Sequence, residues 1–159
     1  MFKTVLITGA SSGIGKATAI ALAKQSQTLI LIGRREKRLK ELCKEIGTDT
    51  KTIPVALDVT NAEKIDEFIN TYKDDLENLE VLINSAGLAK GAGPFDETPP
   101  DFFDQMIDTN IKALIKVTRY LVPFLKKQEH SHIINLGSIA GRWVYPGGAV
   151  YCATKHAIN

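Results

Sequence analysis

The sequence predicts an α/β protein built on a doubly wound parallel sheet. Three observations point there. Short apolar runs alternate with longer amphipathic segments, as in repeated βαβ units. Several of the runs are apolar on consecutive residues, the pattern of strands covered by helices on both faces. A glycine cluster separates the first strand from the first helix. Right-handed crossovers then give the strand order 3-2-1-4-5, and ligands of such sheets bind outside the carboxyl ends of the strands.

Taken in order, strand Thr4–Thr8 leads through the glycine cluster to a helix over Gly13–Lys24. Strand Thr28–Gly33 precedes helix Glu36–Ile46, and strand Thr52–Leu57 precedes helix Ala62–Leu76. The fourth strand is Val81–Asn84, and the segment Gly87–Pro100 after it holds three glycines and three prolines and reads as a loop or lid. A long helix over Asp101–Lys127, a fifth strand His132–Leu136 and a final helix starting near Val150 complete the chain. One domain is expected from 159 residues.

Composition narrows the function classes. Hydrophobic residues make up 44% and charged residues 24%, values of an ordinary globular protein, and a net charge of +2 provides no clustered footprint for nucleic acid. No apolar run approaches the roughly 20 residues needed to cross a bilayer, and Met1-Phe2-Lys3 runs straight into the first strand without a leader, so a cytoplasmic address is expected. Cys43 and Cys152 lack CxxC or metal-ligand spacing, and His130, His132 and His156 lack it too, so unpaired thiols and no metal are expected.

The chemistry gathers at the expected strand ends. Thr8-Gly9-Ala10-Ser11-Ser12-Gly13-Ile14-Gly15 places glycines where a tight turn meets a helix N-terminus, a cradle for a pyrophosphate. Gly9, Ser11, Ser12, Gly13, Ile14 and Gly15 are therefore candidate dinucleotide-binding residues. At the end of the second strand, Arg34 and Arg35 stand where an NAD site carries a carboxylate. Paired guanidiniums suit a 2′-phosphate and favour NADP over NAD, the other reading being a solvated basic helix start. Asp58, beside Val59, is placed to meet an adenine or to cap the following helix, and both readings stand. Asn84, Ala86 and Gly87, at the end of strand four, offer small residues to a cofactor and an amide to tie strands together.

Tyr151 and Lys155 are four residues apart and share a helix face at about 3.6 residues per turn. A free tyrosine titrates near pH 10. A cation about 4 Å away contributes roughly 4 kcal/mol at an effective dielectric of about 20, enough to make the phenol a proton donor and acceptor near neutral pH. Ser138 upstream supplies a hydroxyl for the same oxygen.

These motifs resemble the short-chain dehydrogenase/reductase family. TGASSGIG, NSAG (usually NNAG in the family), Asn110, Ser138 and the Tyr151-to-Lys155 segment occur in family order and spacing. Ala86-Gly87-Leu88-Ala89, Met106–Asn110, His132–Asn135 and Tyr145–Gly148 look like the NADP-dependent 3-hydroxy acid (serine or allo-threonine) dehydrogenase branch. The resemblance implies a Rossmann-type fold and hydride transfer between NADP and a small alcohol or carbonyl substrate. It implies Tyr151 as proton exchanger, Lys155 on the nicotinamide ribose, Ser138 on the substrate oxygen and Asn110 holding a water in a proton relay. It also implies a homodimer or homotetramer, a surface for which the apolar stripe Ile107, Ile111, Leu114, Thr118, Leu121 is available; that stripe fits sheet packing equally. Gly141, Arg142, Trp143 and Tyr145 are expected near the substrate, with Arg142 facing a carboxylate or solvent. Family members continue with further strands and a covering loop, so the fifth strand is expected as an exposed edge. The alternative is a short, inactive nucleotide-binding or oligomerising fragment.

Overall fold

A computed structural model of the chain describes residues 1–91 and 93–159; Ala92, within the Gly87–Pro100 segment read as a loop, lies outside the described residues. The strands are β1 Phe2–Thr8, β2 Ser26–Gly33, β3 Lys51–Ala56, β4 Leu79–Asn84 and β5 His132–Asn135. They form one parallel sheet in the order β3-β2-β1-β4-β5, as the alternating pattern requires. Proline at position 54 is tolerated because β3 lies on the edge, where a missing N–H costs no ladder bond.

The consecutive apolar runs divide cleanly between the two faces. Leu6, Ile30, Ile32 and Leu82 pack on one side. Helices α3 (Ala62–Thr71) and α6 (Leu114–Leu125) cover that side with Phe68, Val117 and Leu121. Val5, Ile7, Leu29, Leu31 and Ile83 pack on the other side under α1 (Gly13–Ala23) and α2 (Glu36–Ile46), which contribute Ala19, Leu39 and Leu42. Among the described residues no helix is long and apolar enough to cross a membrane.

Two expected helices are subdivided. Ala62–Leu76 breaks at Tyr72 into α3 and the single turn α4 (Lys73–Leu76). Asp101–Lys127 becomes α5 (Pro100–Ile107), a π-helical segment Asp108–Ala113, and α6. α5 starts one residue early because proline's fixed φ suits the first helical position. The π segment inserts an extra residue and shifts the helix phase. The buried face therefore runs Ala113, Val117, Leu121, Phe124, and not along Ile107, Ile111, Leu114 and Thr118, which are half-buried. β5 is the exposed edge that was expected, with Ile133 44% and Ile134 48% exposed. α7 (Ala149–His156) closes the order.

Candidate active site

At the carboxyl ends of β1 and β4 the chain is laced by a threonine. Thr8, 2% exposed, accepts through Oγ1 from the Ser85 and Ala86 amides at 3.1 and 3.0 Å. This draws the loop after β4 against the glycine turn. Gly9 sits at φ 69°, and a Cβ there would lie 2.8 Å from the Ala86 backbone. A Cβ on Gly15 would lie 2.6 Å from the Gly9 carbonyl oxygen. Both glycines are required because backbone meets backbone with no flexible side chain to yield.

A cleft of about 390 Å³ opens over this turn. Gly9, Ser11, Ser12, Gly13, Ile14, Arg34, Arg35, Asp58, Val59, Ala86, Gly87, Tyr151 and Lys155 line it, which brings most of the sequence candidates into one site. Ser12 is the N-cap of α1 yet makes no side-chain capping bond. Its hydroxyl instead accepts from Arg35 Nη2 at 2.6 Å, and Ser11 Oγ accepts from Arg35 Nε and Nη2 at 3.2 and 2.9 Å. The guanidinium thus bridges the end of β2 to the glycine turn, while Arg34 stands exposed beside it. Asp58 lines the cleft but also accepts from the Thr60 amide and hydroxyl at 3.0 and 2.8 Å. The capping role belongs to Asn61, whose side chain accepts from the Lys64 amide at 3.0 Å.

At the opposite end, α7 presents Tyr151 and Lys155 on one face. Lys155 is 7% exposed and donates from Nζ to the Leu136 carbonyl at 2.8 Å, directly after β5. Burial holds its ammonium pKa below the ordinary lysine value. Nζ lies 5.9 Å from the Tyr151 ring centroid. Gly87 leaves room here, since a Cβ on it would be 3.3 Å from Asn110 Oδ1 and 3.8 Å from Lys155 Nζ.

Four candidates stand apart from the cleft lining. Gly15 supports Gly9 from beneath. Asn84, 4% exposed, donates to Thr118 Oγ1 at 3.0 Å and to Asn135 Oδ1 at 2.9 Å, so it ties β4 to α6 and β5. Ser138 caps a short 3-10 turn by accepting from the Ala140 amide at 3.1 Å. Asn110, in the π segment, spends its amide nitrogen on the Leu88 carbonyl at 2.9 Å and on Thr154 Oγ1 at 3.1 Å. Its Oδ1 also accepts from the Leu88 amide at 2.9 Å, so a water at this side chain would find only the second lone pair of that oxygen. Arg142, Trp143 and Tyr145 lie on exposed surface and line no part of the cleft, with Trp143 76% exposed. Sequence reading missed Thr8, Leu88, Thr109, Leu136 and Thr154; only Thr8, at the strand end before Gly9, had a local signal.

Comparison with known proteins places these features in a family. The family model described as short chain dehydrogenase matches residues 3–159. An uncharacterized oxidoreductase of Staphylococcus saprophyticus is 41% identical over 157 residues, 99% of this chain and 63% of that protein. The NADP-dependent 3-hydroxy acid dehydrogenase YdfG of Escherichia coli strain K12 is 40% identical over 151 residues, 95% of this chain and 60% of that protein. Among solved structures, the closed form of serine dehydrogenase complexed with NADP+ superimposes with a TM-score of 0.89 at 39% identity, covering 98% of this chain and 62% of that one. The chain thus spans about three-fifths of the length of these curated relatives. With the family model matching residues 3–159 and relatives about 40% identical over nearly the whole chain, the chain belongs to the short chain dehydrogenase family.

Proposed function

We propose that the protein is an NADP-dependent dehydrogenase acting on the carbinol of a small 3-hydroxy acid. One observation carries the reading. A single cleft holds the glycine turn and two arginines at one end and Tyr151 with Lys155 at the other. The residues fit NADP: Gly9 and Gly15 keep the turn free of side chains, and Ser11, Ser12, Arg34 and Arg35 form a donor-rich cluster suited to a phosphate. The relatives described as NADP-dependent 3-hydroxy acid dehydrogenases, and the NADP+ complex of serine dehydrogenase, support both cofactor and substrate class.

NADP supplies hydride acceptance at its nicotinamide when bound. The chain's own residues do the rest. Tyr151 accepts the hydroxyl proton of the alcohol through its phenolic oxygen, or donates it to the carbonyl in the reverse direction. The buried Lys155 ammonium, anchored to the Leu136 carbonyl, favours the phenolate and would hold the cofactor ribose. Ser138 keeps its hydroxyl proton for the substrate oxygen while the lone pair accepts from Ala140. Asn110 fixes the loop over the cleft and acts as a positioning residue. Asp58, Val59, Ala86 and Gly87 line the cleft, where the first two would meet the adenine and the last two the middle of the cofactor.

The same reading makes residues 1–159 one nucleotide-binding domain, incomplete at its C-terminus, of a cytoplasmic homodimer or homotetramer. The exposed Ile115, on the flank of α6 turned away from the buried face, supports such a contact. The test is NADP+ reduction, followed at the nicotinamide absorbance, by protein from the complete reading frame with serine, allo-threonine and 3-hydroxybutyrate. Turnover with none of them, at saturating NADP+, removes the hydroxy-acid reading.

A further inference from the structure

Tyr151 borders two cavities. Besides the large cleft, it lines a pocket of about 40 Å³ with Lys90, Phe95, Phe103, Met106 and Val150. At about 10–15 Å³ for each water-sized site, that is room for a group the size of a carboxylate with its methylene. Lys90 is the cationic residue lining the pocket. Its setting differs from that of the lysines paired with carboxylates. Lys3, Lys16, Lys40, Lys51, Lys112 and Lys127 each lie within 4.0 Å of a carboxylate oxygen. Lys90 is half-buried and, among the described residues, held only by uncharged partners. Its Nζ donates to Gln105 Oε1 at 2.5 Å and lies 4.6 Å from the Phe102 ring centroid. Its backbone amide points at Met106 Sδ, 3.4 Å away, which fixes the residue against α5.

An ammonium without a carboxylate partner, on a residue that shares a pocket with Tyr151, recognises an anion. The stacked Phe95 and Phe103 rings, 5.0 Å between centroids, wall the pocket with apolar surface and strengthen an ion pair formed there. A 3-hydroxy acid has its carboxylate one methylene from the carbinol, so both groups must find partners within one compact site. Arg142, by contrast, is exposed and lines neither cavity. We infer that Lys90 is the carboxylate anchor of the substrate: it binds the acid in the small pocket while Tyr151 meets the hydroxyl. This rests on the hydroxy-acid reading above and specifies the residue that selects the acid.

The test compares 3-hydroxybutyrate with its methyl ester as substrates of the complete enzyme, wild type and the variants Lys90→Gln and Lys90→Arg. Wild type is expected to prefer the acid, chiefly through KM. Lys90→Gln should lower the ratio of kcat/KM for acid over ester by about tenfold or more, and Lys90→Arg should recover part of it. A Lys90→Gln enzyme that binds NADPH and keeps the wild-type ratio within about twofold overturns the Lys90 assignment and leaves the hydroxy-acid reading standing. A wild type that uses acid and ester equally well overturns the assignment without any variant. A wild type active on neutral alcohols and on no hydroxy acid overturns both.

Discussion

Asn110 holds Leu88 by both of its backbone polar groups. Its Oδ1 accepts from the Leu88 amide at 2.9 Å and its Nδ2 donates to the Leu88 carbonyl at 2.9 Å. The same Nδ2 reaches Thr154 on α7 at 3.1 Å. One amide, 1% exposed, therefore joins the π segment, the loop over the cleft and the helix that carries Tyr151 and Lys155.

Replacing Asn110 by Ala strands the Leu88 amide and carbonyl beside a buried site, while the Thr154 hydroxyl keeps its bond to the Tyr151 carbonyl at 2.8 Å. The expected loss is about 1–3 kcal/mol in unfolding free energy, with weaker NADP binding. Asn110→Asp is expected to fare no better, because a carboxylate accepts from the Leu88 amide but repels its carbonyl. Urea unfolding and cofactor titration of both variants check this; an Asp variant as stable as wild type would contradict it.

Tyr151→Phe removes the phenolic oxygen and little else. Turnover should fall by at least about a hundredfold while NADPH affinity stays within about threefold of wild type. Steady-state kinetics beside a fluorescence titration separate the two effects. Near wild-type turnover would remove Tyr151 from the proton-exchange role.

Arg35 joins the end of β2 to Ser11 and Ser12, the cluster proposed to take the 2′-phosphate. Arg35→Ala should weaken NADP binding by about tenfold or more while changing NAD binding far less. Equal losses for the two cofactors would show that the arginine shapes the turn and does not read the phosphate.

Lys155 carries a pH signature. Burial lowers its pKa in the folded protein, while the unfolded chain keeps the ordinary lysine value of about 10.4. Between those two values the unfolded state binds more protons, so this group's contribution to stability rises with pH across the window. Below the lowered pKa the full cost of burying the ammonium is present; above about pH 10.4 it is relieved. Lys155→Met removes the titration, so wild type should gain stability relative to the variant as pH rises toward that limit. Urea unfolding at a series of alkaline pH values measures the difference; a gap that stays flat or reverses would count against it.

The Tyr–Lys pair was legible because a four-residue spacing is a local property of any helix. The NADP-type cluster was legible because glycines, serines and arginines lie within one βαβ unit. Asn110 was legible as a site residue but not as a clasp, since its partners Leu88 and Thr154 lie 22 and 44 residues away. Lys90 gave no sequence signal at all. Its meaning depends on Phe102 and Gln105 from α5 and on a pocket shared with Tyr151 from α7.

By itself the sequence determined the sheet and its order, because consecutive apolar runs and right-handed crossovers leave few ways to bury both faces. It also determined which residue types gather at the strand ends. Only the tertiary structure decided where the long helix takes its π turn. It also decided which partners Asn84 takes, Thr118 and Asn135, and that Asp58 turns back onto Thr60. Periodicity reports which face a residue occupies, whereas a hydrogen bond between distant segments exists only once packing has brought them together.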